Sequence, residues 1–206
     1  MIQPKIKNII PSTFEEAIQE ELFERFYIED NPIKPLKLSN ITFNECHFKN
    51  IQFSDIQLSK IDLLDVIFEN CDLSNVSFEG QSLHRVIFKN CRLMGIDFSN
   101  TSFLHIQIIN CLVNYSNFSY TTIKESLFQD SSLIETSFIE STITKTQFLY
   151  CNLTKSEFLH TKMPLIDFST CTLEQLMTDT SSLYKIKVNL YQAADLSRIL
   201  GIEIVE

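Results

Sequence analysis

Cys91-Arg-Leu93-Met-Gly-Ile96-Asp-Phe98-Ser-Asn100 is one five-residue unit written twice: a small or apolar residue, a spacer, a large apolar centre, then two residues free to turn away. The unit continues in both directions. From Leu38 to Val188 every fifth residue is such a centre, and 30 of those 31 positions hold Leu, Phe, Ile, Val or Met, Thr178 being the exception. A period of five fits neither an α-helix (3.6) nor a flat strand (2), so the repeat itself defines the fold.

Four units placed as the sides of a square coil use 20 residues, and each coil stacks on the last at the inter-strand spacing of about 4.8 Å. Residues 36–190 then form about seven to eight coils, a rod of roughly 35–40 Å. This arrangement predicts that residues 20 apart share a chemistry. One column reads Phe48, Phe68, Phe88, Ile108, Phe128, Phe148, Phe168, and another Leu58, Phe78, Phe98, Phe118, Phe138, Phe158. The remaining two columns are mainly aliphatic, so rings stack on rings along the axis. Asn50, Asn70, Asn90 and Asn110 form a corner ladder, where Asn tolerates φ > 0. Irregularities are expected at Gly80-Gln81, at Pro164 and at Leu176–Thr180.

All six cysteines fall two residues before a centre: Cys46, then Cys71, Cys91, Cys111, Cys151 and Cys171 in one 20-residue register. Ser, Thr, Val and Ile share that site, which selects small side chains tolerant of burial. The cysteines therefore read as structural thiols in a reducing compartment. His47, His84, His105 and His160 lie in different columns with no ligand spacing. No glycine-rich phosphate loop and no Ser-His-Asp constellation can be placed, so neither enzyme activity nor a cofactor or metal is expected. A net charge of −9 argues against direct nucleic-acid binding. No apolar run reaches a membrane span and the N-terminus lacks a signal-peptide core, which makes the cytoplasm the expected location.

The units Cys71-Asp-Leu-Ser-Asn75, Ile96-Asp-Phe-Ser-Asn100 and Cys151-Asn-Leu-Thr-Lys155 resemble the pentapeptide repeat family, consensus A(D/N)LXX. That resemblance implies an all-β, right-handed quadrilateral β-helix. The C-terminal run Val188-Asn-Leu-Tyr-Gln-Ala-Ala-Asp-Leu-Ser-Arg-Ile-Leu-Gly-Ile-Glu-Ile-Val205 is similar to the closing segment of the Qnr quinolone-resistance proteins. It reads as a helix over Tyr191–Leu200, Gly201 at C′, and a strand Ile202–Val205.

The Qnr resemblance implies a capping module that pairs two copies through Tyr191, Leu196, Ile199, Leu200, Ile202 and Ile204. It also implies a rod that imitates a DNA duplex and binds DNA gyrase or topoisomerase IV. The acids suited to that task are Asp55, Asp62, Asp65, Glu69, Asp72, Glu125, Asp130, Glu135 and Glu140. A scaffold or adaptor for an unrelated protein partner stands beside that reading.

Residues 1–35 are expected to cap the first coil and prevent end-to-end stacking. Ser12 or Thr13 followed by Glu15 and Glu16 marks an N-cap, and Phe14, Ile18, Leu22 and Phe26 mark the apolar face of a helix over about 13–27. The domains follow as a cap over 1–35, repeats over 36–190 and a C-terminal module over 191–206. Tyr115, Tyr120, Ile139, Leu149, Tyr150 and Leu159 sit at outward positions, as ordinary surface or as part of a partner surface.

Overall fold

The computed structural model describes residues 1–19 and 23–205. Along it the chain winds into a parallel β-solenoid in which paired residues of successive coils lie 20 apart. The register begins at Phe23↔Phe43, passes through Phe48↔Phe68 and Phe128↔Phe148, and ends at Asp167↔Lys187. Each coil has four sides. The first is centred on Phe43 and its successors at 20-residue steps, the second on Phe48, the third on Phe53 and the fourth on Leu58. Early strands run through corners, as in Leu36–Lys49 and Ile56–Glu69, whereas later ones shorten to Thr122–Lys124 and Leu127–Gln129.

The corners share one solution, a left-handed residue two after each centre. Asn90 (φ 56), Tyr115 (φ 61) and Glu135 (φ 53) are examples. Of the 30 multiples of five from Asn40 to Lys185, 27 have positive φ. The exceptions are Asp55, Thr170 and Thr180, and those two threonines are the only β-branched residues at these positions. A branched Cβ is the substituent a left-handed backbone tolerates least. On the third and fourth sides the centre's carbonyl accepts the N–H three residues on, as in Val76 N–H to Leu73 O (3.2 Å) and Thr101 N–H to Phe98 O (3.3 Å). These are type II turns. Gly80 and Gln81 form such a turn without disturbing the coil, Gln81 N–H donating to Phe78 O at 3.1 Å.

Inside, rings stack along the axis and meet edge-on across it. Phe118–Phe138 (4.9 Å, 16°) and Phe138–Phe158 (4.7 Å, 11°) stack on the fourth side, and Phe128–Phe148 (4.7 Å, 4°) on the second. Phe128–Phe138 (6.2 Å, 80°) and Phe138–Phe148 (6.2 Å, 83°) join the two columns. Phe48, Phe68, Phe78, Phe88, Phe98 and Phe168 are likewise buried.

The small residues beside them donate to carbonyls of the coil below. Thr121 Oγ1–H bonds Phe98 O (2.8 Å), Ser156 Oγ–H bonds Leu133 O (2.6 Å), and the thiols of Cys71, Cys91, Cys111 and Cys171 take the same carbonyls at 3.4–3.5 Å. A buried carbonyl needs this second donor, which explains why Ser, Thr and Cys recur there. All six cysteines are buried free thiols, and burial pushes the Cys46 thiol up to about 11.

The N-terminal helix, α1, spans only Phe14–Gln19. Its capping box forms as expected: Glu16 N–H donates to Thr13 Oγ1 and Thr13 N–H to Glu16 Oε2. The helix expected over 13–27 is corrected, because Phe23–Glu24 and Phe26–Ile28 are strands. The physical reason is that the five-residue spacing already begins at Phe23 and Ile28, which seat against Phe43 and Phe48. Leu22 lies outside the described residues. Phe14 closes the ring column, stacked on Phe48 at 5.9 Å.

At the other end α2 spans Leu190–Ser197, with a capping box between Asn189 and Gln192, a 3₁₀ turn Arg198–Leu200, and Gly201 at φ 73. Gln192 Nε2–H donates to Phe168 O and Cys171 O, tying the helix to the last coils. The strand expected over Ile202–Val205 is also corrected: this segment has no ladder partner among the described residues.

Candidate functional site

Three outward positions per unit give the rod its surface, and the 20-residue register sorts them by side. Several of the acids expected to meet a partner are matched one coil away. Asp65 meets Arg85 at 2.5 Å, Glu69 meets Lys89 at 3.1 Å, Asp72 meets Arg92 at 3.4 Å, Glu125 meets Lys145 at 3.4 Å and Glu135 meets Lys155 at 3.6 Å. Asp62 accepts Ser82 N–H and Asp130 accepts from Gln129, while Asp55 and Glu140 have no Lys or Arg at ion-pair distance among the described residues. Asp65 is buried rather than presented. Exposed pairs of this kind contribute at most about 1 kcal/mol each, and they neutralise the field of both partners.

The first and second sides are therefore balanced: Lys49, Arg85, Lys89, Lys124, Lys145, Lys162, Lys185 and Lys187 face Glu45, Asp62, Asp65, Glu69, Glu125, Asp130 and Asp167. The third and fourth are not. Asp55, Asp72, Glu79, Asp97, Glu135, Glu140, Glu157, Glu174 and Asp179 face only Lys37, Lys60, Arg92 and Lys155. Sequence reasoning missed Glu79, Asp97, Glu157, Glu174 and Asp179. The signal was available, because grouping acids by position within 20 residues isolates them. The run is interrupted at mid-rod by Tyr115 and Tyr120, both more than half exposed.

Asp179 is held ionised by the His160 main-chain N–H and by Ser181 and Ser182. His160 Nδ1 lies 3.5 Å from this carboxylate, but the Ser181 hydroxyl also donates to Asp179. The serine is thus bonded to the acid rather than to the imidazole, and the three form no nucleophile–base relay. Among the described residues no group of three His, Cys, Asp or Glu is placed to hold a metal, and no helix is long and apolar enough to cross a membrane.

The C-terminal module presents most of its apolar side chains to solvent. Tyr191, Leu200, Ile202 and Ile204 are at least half exposed and Ile199 is exposed by 37%. Leu196 is half-buried, and with Ile199 it lines a cleft of about 510 Å³ against Leu173 and Leu176 of the last coil.

The fold defines a class: four-sided parallel solenoids built from five-residue sides. The family model for the pentapeptide repeat region matches residues 61–138. Among solved structures the chain is similar to trypsin-treated QnrB1, a plasmid-mediated fluoroquinolone resistance protein, at 24% identity over 96% of this chain and 98% of that one (TM-score 0.48). Full-length QnrB1 aligns at 22% identity over 87% and 89% (TM-score 0.46). The pentapeptide repeat protein Rfr23 from the cyanobacterium Cyanothece 51142 aligns at 16% over 52% and 64% (TM-score 0.28). No curated protein matches the sequence.

Proposed function

We propose that the chain is a non-catalytic binding protein that works as a homodimer. Its acidic third and fourth sides would meet the basic DNA-binding surface of a type II topoisomerase, DNA gyrase or topoisomerase IV. The observation that carries this reading is the excess of carboxylates over bases, nine against four, on two adjoining sides of the rod. The choice of partner rests on the C-terminal sequence resemblance to the Qnr proteins.

The test is a gyrase supercoiling assay with purified protein, with and without a fluoroquinolone. Inhibition or drug protection is expected at micromolar protein, weakened at least tenfold by Glu140→Lys with Glu157→Lys. A wild-type protein without effect on the host's gyrase and topoisomerase IV would retire the topoisomerase reading. The alternative, a scaffold for a protein partner outside DNA metabolism, is favoured by the charge-paired first and second sides and by the tyrosines that interrupt the run of acids.

The dimer reading is supported by the exposed apolar residues after α2. Ile202→Asp with Ile204→Asp is expected to give a monomer by light scattering. These positions are preferable to Leu196 and Ile199, which also dock α2 on its own coil. A dimer that persists in the double variant would remove this interface.

A further inference from the structure

The corner between the first and second sides, diagonally opposite the one between the acidic third and fourth sides, differs from the other three. Corner and flanking positions elsewhere include well-exposed large side chains, as in Tyr115 (57%), Tyr150 (66%) and Leu112 (43%). Here the equivalent Asp65 (4%), His105 (6%), Gln107 (4%) and Leu127 (9%) are buried. The N-terminal arm runs along this corner. Ile10 pairs with Phe26 at the foot of the rod, Asn8 turns the chain with φ 54, and the arm then climbs parallel to the axis. Lys5 N–H donates to Asp65 Oδ1 at 2.7 Å, and Met1 lines a cleft with Glu125, Ser126, Lys145 and Gln147. The geometry is self-consistent: Asp65 to Glu125 is three coils, about 14 Å, and four extended residues span about 13 Å. Pro4 and Ile6 are half-buried while Lys5 and Lys7 are exposed, the alternation of an extended strand.

We propose that this corner is a peptide-binding groove whose resident ligand is the chain's own residues 1–9, and that an extended, apolar segment of a protein partner binds there by displacing them. Two observations make the arm a poor permanent cover. It adds no strand to the ladder here, and it leaves Gln107 Nε2 buried with no hydrogen-bond partner, while His105 Nδ1 has only the Glu125 carboxylate at 3.6 Å. An unpaired buried polar group is costly, so a segment that offers an acceptor oxygen at that level binds better than the arm does. The groove's apolar floor, outward-facing Ile67, Ile87 and Leu127, supplies the burial that such a segment needs. The intact arm thus acts as an intramolecular competitor.

The test uses full-length protein and a fluorescein-labelled peptide with the sequence of residues 1–9, read by anisotropy. Lys5→Pro with Ile6→Asp removes the N–H to Asp65 and the half-buried side chain, and is expected to bind the peptide at least tenfold more tightly than wild type. Adding Leu127→Asp to that variant is expected to abolish binding. Equal binding by wild type and the loosened variant would overturn the proposal. Hydrogen exchange on the wild-type protein gives an independent check: residues 1–9 should exchange orders of magnitude faster than the Val86–Phe88 amides beneath them. Arm amides as protected as those of the coil would also overturn the proposal.

Discussion

Phe138→Ala is expected to cost about 4 kcal/mol of stability and to lower the melting temperature by roughly 8–16 °C. Phe138 is fully buried at the centre of the fourth side, stacked between Phe118 and Phe158 and met edge-on by Phe128 and Phe148. Truncation leaves a cavity bounded by four rings, and each ring is held in register by its own coil, so the gap cannot collapse. A solenoid is coupled only through neighbouring coils. The same change is therefore expected to weaken the link between the coils on either side and to broaden or split the calorimetric transition. Ile139→Ala, one residue along and facing outward, serves as the control, with an expected change within about 0.5 kcal/mol. A Phe138→Ala loss below about 1 kcal/mol would mean that the ring columns are not what holds the coils together.

That expectation could be written from the sequence, because the repeat sets both the burial and the neighbours of each centre. The same reasoning located the six thiols and the Asn50–Asn110 ladder, whose side chains bond from coil to coil at 2.8–3.2 Å. It failed where the repeat is present but degraded. Phe23 and Ile28 continue the five-residue spacing into a segment whose other apolar residues also fit a helix, and the helical period was the one read. Seating against Phe43 and Phe48 decided the matter, a tertiary contact that local pattern does not carry.

The surface was less legible than the core. A list of acids in chain order does not show which carboxylate meets a base 20 residues later, and that distance decides between a presented charge and a neutralised one. Asp65 and Glu125 were assigned to a partner, yet Asp65 is held by Arg85 and by the arm, and Glu125 by Lys145. The path of residues 1–9 had no sequence signal at all. Met-Ile-Gln-Pro-Lys-Ile is too short for any periodicity, and its place depends on a groove assembled from coils up to about 140 residues away.

Arg85→Ala tests the groove's foundation, and a loss of about 3 kcal/mol at pH 7 is expected. Arg85 meets Asp65 through two parallel contacts, Nε to Oδ1 and Nη2 to Oδ2, both 2.5 Å, with the two side chains only 13% and 6% exposed. Without the guanidinium, the carboxylate stays buried with the Lys5 N–H of the arm still donating to it. In the wild type burial alone would raise the Asp65 carboxyl, but the Arg85 hydrogen bonds and the Lys5 N–H outweigh it and hold the group below its usual 3.8. A depressed folded value means that the contribution is present above about pH 3.8 and disappears as pH falls through the lower folded value. In the variant burial dominates, the folded value rises above the unfolded one, and the sign reverses: the penalty is full at neutral pH and is relieved as the carboxyl takes up a proton. The difference between wild type and Arg85→Ala is thus expected to shrink between pH 7 and pH 3.5 in urea melts. It should also be nearly insensitive to added salt, because a buried pair is poorly screened. An unchanged difference at both pH values would assign the loss to the packing of the arginine stem rather than to the buried charge.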